Sequence, residues 1–172
     1  MIHEKKSRLT TREIAVYAML GAVAFALKMA LAGLPNIEPV SLLVITYTVV
    51  LGRKALWPIY TYVLLEMITW GPGFWNINYL YIWAVLYLLT RAFRKMESPL
   101  GWAVLSGAFG MSFGLLCAPV YLIGGGWAYM VSWWLSSIPY DLLHCAGNFA
   151  ITLLLFRPVC HVLERLKRQS GI

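Results

Sequence analysis

From position 11 to position 156 long apolar runs alternate with short polar breaks, and basic residues occupy only every second break. Lys5, Lys6, Arg8 and Arg12 precede the first run, Arg53 and Lys54 divide the second from the third, and Arg91, Arg94 and Lys95 divide the fourth from the fifth. Arg157, Arg165, Lys167 and Arg168 follow the last. Thirteen of the fourteen Lys and Arg residues are thereby placed, Lys28 being the exception, while the breaks at 33–38, 71–76 and 124–129 hold none. Short cytoplasmic loops retain Lys and Arg. The pattern therefore predicts an all-α integral membrane protein, a six-transmembrane-helix bundle with N and C termini cytoplasmic; five or seven crossings mix the charges.

Composition agrees: 60% of the residues are hydrophobic and 12% charged, against roughly half and a quarter in soluble domains. Each crossing needs about 20 apolar residues, so six leave no room for a soluble module in 172 residues. We expect one domain over 1–172, multi-pass in the plasma membrane, with 1–10 and 159–172 as cytoplasmic tails. Apolar runs and Gly/Pro punctuation put helices at 11–32, 39–51, 55–70, 77–93, 100–123 and 132–156. The second is too short to cross a full bilayer if straight, unless neighbours shield it or the membrane thins. The net charge of +7 does not point to nucleic acid, because the basic residues sit between apolar runs and form no folded basic face. The basic start lacks a small-residue cleavage site and reads as the lead into a helix, not as a signal peptide. Cys117, Cys145 and Cys160 are scattered without metal-ligand spacing and read as core filler, so neither metal nor cofactor is expected.

Ionisable groups inside a membrane are costly and mark functional positions. Lys28, Glu66, Asp141 and His144 fall in or near the outer halves of their helices, and Glu38 lies in the first outer loop. Asp141, His144 and Asn148 follow spacings of three and four and so share one inward face. Pro139 is expected in the first turn of that helix. Two readings are open: these groups bind a ligand, or Asp141 and His144 bond each other or Lys28 to hold the bundle. Whether Lys28 pairs with Glu66 or Asp141 is open as well.

Aromatic residues crowd the same end. Trp70, Phe74, Trp75, Tyr79, Tyr81 and Trp83 surround the third and fourth helices, and Trp127, Tyr129, Trp133, Trp134 and Tyr140 lead into the last. An interfacial belt enriches Trp and Tyr at both faces, yet only Trp57 and Trp102 lie near the inner one. The excess fits a pocket with aromatic walls and a few convergent polar groups. Its polar inventory is Asn36, Glu38, Glu66, Asn76, Asn78, Asp141, His144 and Asn148 against the single base Lys28. A neutral, hydroxylated or cationic ring compound suits that balance better than a polyanion. The substrate-binding residues expected from this reading are Asn36, Glu38, Glu66, Trp75, Asn78, Tyr79, Trp83, Trp127, Trp133, Tyr140, Asp141, His144 and Asn148.

Ala18, Ala22 and Ala26 recur every fourth residue beside Gly21, a narrow stripe that lets another helix approach closely in lipid. Its partner is either a helix of the same chain or another subunit. The alanine stripe, the outer loop Leu34-Pro35-Asn36-Ile37-Glu38-Pro39 and the last helix, from Ile138-Pro139-Tyr140-Asp141-Leu142-Leu143-His144 through Asn148 to Arg157-Pro158 and a basic amphipathic tail, together resemble the substrate-binding S components of energy-coupling factor (ECF) vitamin transporters. The resemblance spans essentially the whole chain and is carried by the ensemble, not by one fingerprint. It implies a six-helix subunit without ATPase activity that captures a vitamin-like small molecule, joined in the bilayer by a transmembrane coupling subunit and two ATPase subunits. Ala18, Ala22 and Ala26 then face the coupling subunit, the first outer loop closes over the ligand, and the subunit topples to carry its site inward. The ring-rich segments are not matched to the thiamine, riboflavin, biotin or folate binding patterns, which leaves the substrate open.

The chain has no P-loop, and Gly124-Gly125-Gly126 has no lysine after it, so the triplet reads as a gate or tight turn. An alternative is an integral membrane enzyme using Asp141 and His144 as an acid/base pair, although no Ser or Cys nucleophile is evidently partnered. A purely structural membrane subunit is the third reading, supported by the alanine stripe alone.

Overall fold

The computed structural model describes residues 9–34 and 37–172, and the regular structure among them is entirely helical: α1 (Thr11–Ala30), α2 (Val40–Leu51), a 3-10 turn (Gly52–Ala55), α3 (Leu56–Trp70), α4 (Phe74–Ala92), α5 (Pro99–Met111) and α6 (Phe113–Ser170). Three stretches, Thr11–Ala30, Val40–Trp70 and Pro99–Ser170, are long and apolar enough to cross a membrane, which marks a membrane protein. The surface agrees, since Ile68, Ile123 and Leu154 are each at least 69% exposed.

Local chemistry fixes the ends. The Thr10 hydroxyl accepts the Glu13 N–H at 3.2 Å, and the Glu13 carboxylate accepts the Thr10 N–H at 2.8 Å, a reciprocal cap that starts α1. Ser98 caps α5 just ahead of Pro99, whose missing N–H costs nothing in a first turn. The expected ends at 51 and 70 coincide with those of α2 and α3. Several expectations differ, the first being the single helix expected over 100–123, which is divided at Ser112 into α5 and the start of α6. α4 begins at Phe74, earlier than 77, so the break at 71–76 shrinks to 71–73. The break at 124–129 shrinks to Gly126, whose φ of 71° is open to glycine at little cost and turns α6 back on itself. Pro139 consequently lies well inside the second arm of α6, and that arm runs unbroken to Ser170, so the stretch expected as a tail is helical.

α2 sits at the centre. Every residue in it except Val49 is buried, so this helix of about 18 Å is shielded by its neighbours. Thr46 and Thr48 bond carbonyls one turn back, which satisfies their hydroxyls without water. α1 packs mainly on α3, and α2 on α6 and α4. α5 runs antiparallel to the second arm of α6 through Gly107 and Gly110, which stand against Cys145 and His144, and the first arm of α6 continues the seam with Gly114 against Asp141. Ser106 joins this seam, accepting the Thr152 hydroxyl at 2.9 Å.

The bundle has two chemically different ends. At one, Glu13 pairs with Lys54, Arg12 reaches the Ser170 carbonyl and Lys167 the Val50 carbonyl. At the other, about 22 Å farther along α1, lie Lys28 and the aromatic residues of α3 and α4.

Candidate ligand-binding site

Lys28 ends α1 with its side chain turned into the bundle. It donates to Glu66 of α3 at 2.6 Å and to the Tyr79 hydroxyl of α4 at 2.9 Å. Glu66 is 1% exposed, and Lys28 is the cation paired with it there. The ammonium also stands 5.0 Å from the Tyr79 ring centroid, within cation–π reach. Behind it the rings interlock edge to face: Trp75 on Tyr79 at 5.2 Å, then Tyr79 and Tyr62 on Trp83, each at 5.7 Å. Trp83 is completely buried.

From the opposite side, the loop before α2 brings Glu38 to within 3.9 Å of His144 Nε2. That gap exceeds a hydrogen bond. His144 is 2% exposed and lies edge-on to Phe113 at 4.9 Å. Neither of its ring nitrogens has a hydrogen-bond partner among the described residues, and Glu66 Oε1 lacks one too. Buried polar groups are nearly always satisfied, so unpaired ones beside a cavity are candidates for contact with a ligand or with water. The cavity is there: about 380 Å³, walled by Lys28, Glu38, Trp70, Tyr79, Phe113 and His144 with Met29, Leu31, Ala32, Leu34 and Ile37. Burial pushes the Glu38 carboxyl above its ordinary range, with the Lys28 charge opposing.

Asp141 has a different setting. Its Oδ1 accepts the Gly114 N–H at 3.0 Å and its Oδ2 the Ser137 hydroxyl at 3.0 Å, so it ties the two arms of α6 together and does not bond His144 or Lys28. It borders a second cavity of about 320 Å³ with Trp133 and Tyr140, and Phe113 divides this from the first. Asn148 donates to Ser41 at 3.0 Å and to the Ser106 carbonyl, joining α2, α5 and α6. Asn78 accepts the Tyr81 hydroxyl at 3.0 Å.

Of the expected residues, Glu38, Tyr79 and His144 are brought together at the larger cavity, with Glu66, Trp75 and Trp83 directly behind. Trp133, Tyr140 and Asp141 gather at the smaller one. Asn78 and Asn148 are buried ties that line neither, and Trp127 is 71% exposed on the surface. Asn36 lies outside the described residues. The reading from sequence omitted Tyr62 and Phe113: Tyr62 precedes Glu66 by one helical turn, a spacing that could have found it, whereas Phe113 sits in an apolar run and carries no signal. Ala18, Ala22 and Ala26 are all exposed, so the stripe is not internal packing; α1 uses Tyr17, Leu20, Gly21 and Ala24 for that.

No protein-family model, curated protein or solved structure matches the chain.

Proposed function

We propose that this protein is the substrate-binding subunit of an ECF transporter, crossing the cell membrane six times with both termini cytoplasmic and capturing a vitamin-like small molecule at the outer face. The observation that carries the reading is the cavity beside the Lys28–Glu66 pair, into which a buried histidine presents two unpaired nitrogens. Its volume of about 380 Å³ falls within the range of small-molecule sites, and its walls combine aromatic faces with a few polar atoms. It lies at the end of the bundle opposite Arg12, Lys54 and Lys167, the outer end if Lys and Arg mark the cytoplasm.

Capture alone does not move a solute uphill. The sequence carries no phosphate-binding loop, so the energy comes from a transmembrane coupling subunit and two ATPase subunits. The exposed alanine stripe of α1 is the face offered to the coupling subunit, where small side chains permit close helix approach. An acid/base role for Asp141 with His144 loses its support, because Asp141 is committed to Gly114 and Ser137.

The test is mass spectrometry of small molecules that co-purify with the protein, followed by uptake of the identified compound in cells with and without the ATPase partners. A retained compound whose uptake needs the ATPases is expected. Uptake that survives their loss, or a chemically altered product, overturns the assignment.

A further inference from the structure

The charges around the larger cavity do not balance. Lys28 is paired with Glu66 at 2.6 Å, which leaves the Glu38 carboxylate as the surplus charge. Among the described residues no second Lys or Arg lines the cavity. His144 Nε2 stands 3.9 Å from Glu38 and has no hydrogen-bond partner among the described residues. A carboxylate removed from water needs either a proton or a cation. The remaining walls suit a cation: Tyr79, Trp70 and Phe113 border the same space, and ring faces attract positive charge.

Resting on the reading of this cavity as the capture site, we infer that it selects an organic monocation bearing an aromatic ring, whose charge stands beside Glu38 and whose ring lies among Tyr79, Trp70 and Phe113. His144, buried and unpaired, supplies the hydrogen bond that orients it. A second positive charge has no carboxylate left to meet, because Glu66 belongs to Lys28 and Asp141 to Gly114 and Ser137.

The empty site and the filled site then differ by an exchange. Burial raises the Glu38 pKa and a positive charge beside it lowers it, so a cation that enters favours loss of any proton held there to solvent. The titratable groups facing Glu38 are Lys28 of α1, Tyr62 and Glu66 of α3, Tyr79 of α4 and His144 of α6. Because the proton is released on binding, affinity for the cation rises with pH across the range just above ordinary carboxylate values. Protonation of His144 at acid pH repels the cation and gives a slope of the same sign, so a slope that remains in Glu38→Gln belongs to His144.

The experiment uses the purified full chain in detergent and three probes of one shape: the ring-N-methylated nicotinamide cation, its neutral isostere meta-toluamide, and the anion meta-toluate. Titration calorimetry is expected to rank the cation tighter than the amide by about tenfold or more, with the anion weakest. In Glu38→Gln the cation-to-amide ratio collapses toward one, and most of the pH dependence goes with it. Equal or tighter binding of amide or anion, no binding of any probe, or a preference that survives Glu38→Gln overturns the inference. A co-purified anion taken up with the help of the ATPases overturns it while the capture reading stands. If no compound co-purifies and none is taken up in an ATPase-dependent way, the capture reading itself fails.

Discussion

Lys28 and Glu66 close a 2.6 Å contact between α1 and α3 in which one partner is 1% exposed and the other 22%. This asymmetry sets the effect of breaking the pair. Lys28→Met strands a carboxylate in a low-dielectric interior, at a cost of about 3 to 5 kcal/mol. Glu66→Gln leaves an ammonium that still holds Tyr79 and can extend toward headgroup water along its flexible stem, at a cost of about 1 kcal/mol. Thermal unfolding in detergent, followed by tryptophan fluorescence, is expected to place Lys28→Met well below Glu66→Gln; the reverse order removes the pair from its anchoring role.

Asp141 and His144 share a helix face yet serve different ends. Asp141→Ala leaves the Gly114 N–H without its acceptor, while the Ser137 hydroxyl keeps the Trp134 carbonyl at 2.7 Å, and is expected to destabilise the protein by about 1 to 3 kcal/mol. His144→Ala breaks no side-chain hydrogen bond among the described residues and is expected to lower ligand affinity more than thermal stability. Affinity and unfolding temperature measured on both variants decide the matter: if His144→Ala loses both equally, the imidazole is packing and not a ligand group.

The seam between α5 and α6 leaves no space for a methyl group at Gly110. A Cβ at Gly110 lies 2.8 Å from the His144 backbone, and backbone inside a helix cannot step aside as a side chain does. Gly110→Ala is expected to cost about 1 to 3 kcal/mol through overpacking and to weaken ligand binding, because the displaced segment carries His144. Gly33→Ala, with nothing within 4 Å, is the matched control and should leave unfolding unchanged.

Much of this arrangement is legible in the sequence, and the failures have physical causes. Gly52 and Gly71 mark the ends of α2 and α3 because both take positive φ there. The Gly124–Gly126 triplet reads as a loop, but only Gly126 leaves the helix: a glycine costs a helix about 1 kcal/mol, and the long seam of α5 and α6 outweighs that. Arg165 and Lys167 read as a solvated tail, whereas Leu163 between them and the core is buried and Lys167 bonds Val50. Spacing puts Asp141, His144 and Asn148 on one inward face. It cannot say that Gly114 takes the first, a cavity the second and Ser41 the third, since those partners lie 27 to 107 residues away or on other helices.

Six crossings place residue 72 outside and residue 97 inside. Both are exposed, in the connections before α4 and before α5. Pro72→Cys is expected to react with a membrane-impermeant maleimide in intact cells, and Glu97→Cys only after permeabilisation, each measured against the signal of the native cysteines. Labelling of residue 97 from outside, or of 72 only from within, defeats the six-crossing arrangement and the outer placement of the cavity with it.

Ala22 is exposed midway along α1, on the face away from Tyr17, Leu20 and Ala24. Leucine there meets nothing inside the protein, so folding and ligand affinity should stay within about 0.5 kcal/mol of the parent. A helix of another subunit, if it lies against this stripe, is held off by the added isobutyl group, and close packing is what drives helix association in lipid. Ala22→Leu is therefore expected to bind the co-purifying ligand normally, to lose the coupling subunit in pull-down from membranes, and to abolish uptake. Ala22→Gly, equally small, should keep all three. Uptake that persists in Ala22→Leu shows that the stripe faces only lipid, and the site of coupling must then be sought on another face of the bundle.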